Sequence, residues 1–122
     1  MMLSDHFSTD EFRCSCGCGF GTELDDVSPA LLGGLEALRL ALGTPIYINS
    51  GCRCAAHNHV IGGVRNSQHL RGCAADVRVD VRTPKQVEAV ALIVPCFRDG
   101  GIGTYRTFVH LDTRGHMARW EG

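Results

Sequence analysis

The run His69-Leu70-Arg71-Gly72-Cys73-Ala74-Ala75-Asp76 sets an imidazole and a carboxylate seven positions apart with a glycine between them. A tight turn at Gly72, a residue type that takes a left-handed backbone at little steric cost, brings both side chains to one point. Zinc accepts His nitrogen and Asp oxygen at about 2.0–2.2 Å, and in catalytic sites it takes three protein ligands and keeps a fourth position for water. His110 is the best candidate for the third ligand. In Phe108-Val109-His110-Leu111-Asp112, strand alternation puts Phe108, His110 and Asp112 on one face. Spacing alone leaves other trios open among six histidines and several aspartates, and exposed or hydrogen-bonded structural histidines are the ordinary alternative.

The chain also carries seven cysteines, an odd number, so at least one is a free thiol, a bridge to another chain or a metal ligand. Cys14, Cys16, Cys18 and Cys54 are candidates for a structural zinc site, since four thiolates make a closed tetrahedral shell. A disulfide from the Cys14 to Cys18 cluster to Cys52 or Cys54 is one alternative, and free thiols are the other. Cys73 and Cys96 fall in a strand and at a helix end, positions that suit buried apolar packing.

Regular elements must position these groups. Ser8-Thr9-Asp10-Glu11 has the capping-box form and starts a short helical turn, after which the Cys14–Gly19 segment reads as a tight loop. Ser28-Pro29 opens a core helix in which Leu31, Leu32, Leu35, Leu38 and Leu42 recur at helical spacing, and Gly43 closes it. Ile46-Tyr47-Ile48 reads as a short strand, followed by a long polar loop to about Leu70. Residues 73–81 alternate as a strand. Thr83-Pro84-Lys85-Gln86 caps a helix that Pro95 ends, and two strands follow at about 102–106 and 108–113. The order is that of an α+β fold.

A chain of 122 residues has room for one domain, spanning 1–122, with a modest core. Its net charge of −1, from 12 basic and 13 acidic residues, carries no general pull toward nucleic acid or anionic membrane, so neither is expected as a partner, and a monomer is expected. Met1-Met2-Leu3-Ser4-Asp5-His6 lacks a basic segment followed by an apolar run, so cytoplasmic synthesis without a signal peptide is expected.

Several strings together resemble the M15 peptidases: Ser50-Gly51-Cys52-Arg53, Gly62-Gly63, Ser67-Gln68-His69-Leu70-Arg71-Gly72-Cys73-Ala74-Ala75-Asp76, and Val109-His110-Leu111-Asp112. That group includes zinc D-Ala-D-Ala carboxypeptidases and phage endolysins, and it shares its fold with the hedgehog signalling domain. The resemblance runs from about Phe7 to Arg114, and the Phe12-x-Cys14-x-Cys16-Gly17-Cys18 start with Cys54 after Arg53 is similar to a small phage-associated branch.

The resemblance implies a small mixed, mainly antiparallel sheet with helices packed on one side, and one zinc ion held by His69, Asp76 and His110. It implies that Arg53 and Ser67 line the substrate site, where Arg53 would pair with a peptide carboxylate or an oxyanion. Ser67 can equally serve as a cap for the His69 turn. The implied activity is zinc-dependent hydrolysis of peptidoglycan stem peptides, at a terminal D-Ala-D-Ala bond or an internal bond such as L-Ala-D-Glu. A phage-encoded enzyme acting on the cell wall would fit the N-terminus.

One departure matters. Many relatives carry an acidic residue three positions before the last His ligand or a His two before it, and here those positions are Thr107 and Phe108. Neither side chain is a base. Asp112 is the expected substitute as catalytic base, with the alternative that it orients a ligand or Arg114. His57 and His59 are further candidates. The rival readings are a cell-wall or protein binding module that keeps the zinc, and a phage structural component joined by inter-chain cysteine bonds.

Overall fold

A computed structural model describes all of residues 1–122. Near its start the Glu11 carboxylate accepts from the Ser8 N–H at 3.0 Å, and one helical turn, α1 (Thr9–Phe12), follows. Ser28 Oγ accepts from the Leu31 N–H at 3.4 Å, and Pro29 takes the first position of the longest helix, α2 (Pro29–Leu42). Gly43 ends it in a left-handed conformation, φ 69°, as the sequence pattern predicts.

The chain then forms β1 (Tyr47–Ser50), α3 (Ala55–Val60) and, after a single 3-10 turn at Gln68–Arg71, β2 (Ala74–Arg78). Helix α4 (Pro84–Ala91) is held by reciprocal bonds between Thr83 and Gln86, at 3.2 Å and 2.9 Å. Next come α5 (Pro95–Arg98), β3 (Gly101–Thr104), β4 (Val109–Asp112) and β5 (Ala118–Glu121). The fold class is the expected α+β.

The five strands form one mixed sheet in the order β1-β2-β4-β3-β5. Its first three pairings are antiparallel, and only β3 with β5 is parallel. Helices α4 and α5 contact β3 and β4, and α2 packs on both of them. Ala75 and Val77 of β2, Ile102 of β3 and Val109 and Leu111 of β4 join Leu31, Leu35, Leu38, Val87 and Phe97 in a core of 20 buried residues. Each buried Val, Leu, Ile or Phe side chain among them contributes about 1.5–3 kcal/mol. Alternation along β2 and β4 therefore fixes Asp76 and His110 on the opposite face. No helix is long and apolar enough to cross a membrane.

Four local readings change. Residues 55–60, read as loop, are α3, whose only buried side chain is Asn58. The helix read as ended by Pro95 stops earlier, at Ala91, and Pro95 instead occupies the first position of α5. The strand read over 73–81 stops at Arg78, beyond which the chain turns through Val79–Arg82. The terminal β5, absent from the sequence reading, pairs in parallel along the edge of β3.

Candidate metal centre

Asp76 and His110 are direct cross-strand partners on β2 and β4, and the same row continues to Ser50 on β1, Gly103 on β3 and Trp120 on β5. Side chains opposed in this way stand about 4.5–5.5 Å apart at Cβ. His69 reaches them from the 3-10 turn. Ser67 Oγ accepts from the His69 N–H at 3.2 Å, and Gly72 closes the turn at φ 67°, where an added Cβ would strike the Asp26 carbonyl.

The three side chains meet at one oxygen. His69 Nε2 lies 3.2 Å and His110 Nδ1 3.0 Å from Asp76 Oδ1, and all three residues are buried. The other nitrogen of each ring is already committed. His69 Nδ1 is 2.6 Å from the Gly51 carbonyl, which can only accept, so Nδ1 carries the proton. His110 Nε2 is 2.7 Å from Asp112 Oδ2 and donates to it.

Two imidazole lone pairs therefore aim at one carboxylate oxygen. Either each ring takes a second proton, which sets two imidazolium ions side by side with centroids 5.1 Å apart, or a single cation sits among the three atoms. Ligands at about 2.0–2.2 Å from a tetrahedral zinc ion lie about 3.3–3.6 Å from one another. The observed separations are slightly shorter, and the donor set of two nitrogens and one carboxylate oxygen suits zinc.

Charge is balanced around this point. Burial pushes the Asp76 carboxyl up, and hydrogen bonds from His110 and His69 more than reverse that, holding it well below the usual carboxylate range. Burial lowers His110, yet Asp112 and Asp76 together raise it above its ordinary value. Arg53 Nη2 donates to Asp76 Oδ2 at 3.1 Å, while its Nε and Nη1 hold Ser50 Oγ and Asn58 Oδ1.

Asp112 stands behind His110. It is fully buried, outside the cavity, and its two oxygens accept from His110 Nε2, the Gly101 N–H, the Arg114 N–H and the Arg114 guanidinium. Burial pushes its carboxyl up, and the His110 and Arg114 bonds more than offset this and hold it below the usual range. The carboxylate expected as a base has no free face toward a substrate.

The trio of His69, Asp76 and His110 opens on a cavity of about 720 Å³. Arg53 and Ser67 line it, as does Arg114, and Tyr105, Phe108 and Trp120 form an aromatic wall. Tyr105 and Phe108 stack with centroids 4.5 Å apart, and Trp120 Nε1 donates to the Tyr105 hydroxyl at 2.9 Å. Gly103 lets the indole lie across β3 to within 5.1 Å of the His110 ring, because a Cβ there would enter the indole. Among the lining residues Asp76 is the only carboxylate, and His57 and His59 are not among them.

A family profile described as Peptidase M15 matches residues 5–112. The chain belongs to the M15 peptidase family. M15 peptidases are zinc-dependent metallopeptidases, and the buried trio is a donor set of the kind such an enzyme needs. No curated protein matches the chain.

Sequence reasoning passed over three residues that line this cavity and one that supports it. Trp120 lies on the unread β5, and Tyr105 in the turn between β3 and β4 had no partner in view. Arg114 was considered only as a partner for Asp112, although it also lines the cavity. Asn58, which accepts from Arg53 and donates to the Val64 carbonyl at 2.8 Å, sits in the helix read as loop. A buried Asn among exposed neighbours gives no apolar pattern to find it by.

None of the seven cysteines is in a disulfide. Cys14, Cys16, Cys18 and Cys54 gather into a second cluster, and no disulfide joins the first three to Cys52 or Cys54. Cys73 and Cys96, expected as buried packing residues, are only half-buried, and Cys73 donates to Gln68 Oε1 at 3.2 Å.

Proposed function

We propose that this chain is a single peptidase domain that hydrolyses peptide bonds in bacterial peptidoglycan, with His69, Asp76 and His110 holding a zinc ion. The observation that carries the reading is the convergence of His69 Nε2 and His110 Nδ1 on Asp76 Oδ1 within the cavity. Zinc bound there supplies Lewis-acid polarisation of a scissile carbonyl and lowers the pKa of water.

The remaining groups orient and bind. The Gly51 carbonyl and Asp112 fix the tautomers of His69 and His110, so each ring offers its lone pair to the same point. Arg53 positions Asp76 with one N–H and, having five N–H donors in all, keeps others for a substrate anion. Arg114 is anchored on Asp112 with its guanidinium carbon 5.1 Å from the Trp120 ring centre, and it supplies a second cation in the cavity. Two guanidinium groups beside a dication suit a stem peptide, whose D-Ala terminus and D-Glu side carry carboxylates. Ser67 acts through the turn, as the cap that sets His69.

Asp112 is a positioning residue in this reading. Its oxygens are saturated by donors, so it orients His110 and takes no proton from water. The terminal D-Ala-D-Ala bond and the internal L-Ala-D-Glu bond are the two candidate cleavage sites. Mass spectrometry of the products from purified peptidoglycan tests both: free D-alanine supports the first, a new D-Glu amino terminus the second, and no new amine on any wall type rejects hydrolysis.

A second reading rests on one observation, the lack of any cavity carboxylate besides Asp76. A domain with this geometry and no proton acceptor would hold cell-wall peptide without cutting it. Binding of intact peptidoglycan without amine release would select that reading.

A further inference from the structure

Outside the cavity lining, Cys14, Cys16, Cys18 and Cys54 bring their sulfurs within 4.8 Å of one another. Cys14 Sγ to Cys16 Sγ is 3.5 Å, and Cys16 Sγ to Cys54 Sγ is 3.6 Å. A disulfide needs about 2.05 Å, whereas sulfurs bound at about 2.3 Å to a tetrahedral zinc ion lie about 3.8 Å apart. The spacing is that of ligands around one ion.

We infer that these four cysteines form a structural zinc site with a closed thiolate shell, and that this site braces the metal centre of the M15 cavity. The Gly17 N–H bonds to the Cys14 carbonyl at 3.1 Å, a turn that brings Cys18 back beside Cys14. The Cys54 N–H donates to Cys14 Sγ and the His57 N–H to Cys54 Sγ, each at 3.4 Å, and such donors favour the thiolate form of the acceptor. Cys52 is excluded, since its thiol points to the Asp26 carbonyl.

The bracing follows from chain connectivity. Cys54 directly follows Arg53, and Gly51 lies three residues before it. Gly51 supplies the carbonyl that sets the His69 tautomer, and Arg53 holds Asp76. The same segment is tied to the N-terminal part of the chain by the Cys52 N–H to the Phe12 carbonyl at 2.8 Å. Residues 14–22 contain no helix or strand and are held by local bonds such as Cys14 N–H to the Phe20 carbonyl at 2.7 Å, so a metal cross-link to Cys54 would join this loop to the segment that carries Gly51 and Arg53. A closed shell has no position for water, so the role is structural.

The test is metal content together with cobalt spectroscopy on the full chain. About two zinc ions per chain are expected, falling to about one in Cys16→Ser and, independently, to about one in His69→Ala. With cobalt in place of zinc, the intact protein and His69→Ala show thiolate-to-metal charge-transfer absorption, and Cys16→Ser loses most of it. Equal zinc content in the intact protein and Cys16→Ser, or a disulfide between Cys54 and any of the other three, overturns the site. If Cys16→Ser does not fold, the cobalt spectrum of the intact protein decides alone, and absence of the thiolate band overturns the proposal. Loss of this site with the His69 site intact leaves the peptidase reading standing, so the two fail separately.

Discussion

His110 and Asp112, two residues apart on β4, are joined by a 2.7 Å bond between Nε2 and Oδ2 on the side of the ring turned away from the cavity. The bond leaves Nδ1 as the nitrogen that meets Asp76, and it gives the buried carboxylate its use. Asp112→Asn keeps the size and removes the charge. Zinc at the trio should weaken by about 10–100-fold, and turnover should return when zinc is supplied in excess. Full zinc binding with turnover abolished would instead mark Asp112 as the base.

Proton competition sets the pH dependence of zinc uptake. In the metal-free protein His110 is held protonated to a pH above its ordinary 6.5, because Asp112 and Asp76 outweigh the effect of burial. Zinc must displace that proton, so affinity falls as pH drops through the raised value and is greatest above it. Competition titrations with a chromogenic chelator between about pH 6 and 8 read this directly. An affinity flat across that window would contradict the assignment of His110.

Gly103 exists for the Trp120 ring. Gly103→Ala forces a methyl group into the indole, an overpacking that costs about 1–3 kcal/mol. Thermal unfolding should shift down accordingly. Trp120 is the only tryptophan, so its fluorescence should report both the displaced ring and zinc arriving beside His110. Unchanged stability and emission would mean that the indole packs elsewhere.

An acid-labile tie holds the N-terminal residues to α2. Burial pushes the Glu36 carboxyl up, and the Ser4 hydroxyl and the His6 N–H and ring more than offset it, lowering it below its ordinary 4.5. A lowered acid stabilises the fold above its unfolded value and loses that contribution as pH falls through the folded one. Glu36→Gln should therefore be less stable near neutral pH and should flatten the stability loss on acidification below about pH 4.5. Parallel acid limbs in urea unfolding of the two proteins would refute this.

The parts of the fold readable in the sequence were those with local, self-contained signals. Ser28, Pro29, the leucine spacing and Gly43 delimit α2 to the residue because capping and periodicity act within a few positions. The turn at Gly72 was legible for the same reason, and so was the shared face of Phe108 and His110. Elements defined by distant partners were not. β5 is four residues, Ala118-Arg119-Trp120-Glu121, whose strand character comes from parallel pairing with β3. Helix α3 buries only Asn58, and its purpose, holding Arg53, lies outside its own sequence. The role of Asp112 turned on what lies around it, namely Arg114, the Gly101 N–H and the His110 ring.

The most direct test pairs zinc content with the release of new amines from purified peptidoglycan, comparing the intact protein with His69→Ala. The account predicts that the mutant loses one equivalent of zinc and that its amine release falls to background. Zinc content unaffected by the substitution, or amine release that persists without it, would contradict the trio as the centre of a zinc peptidase.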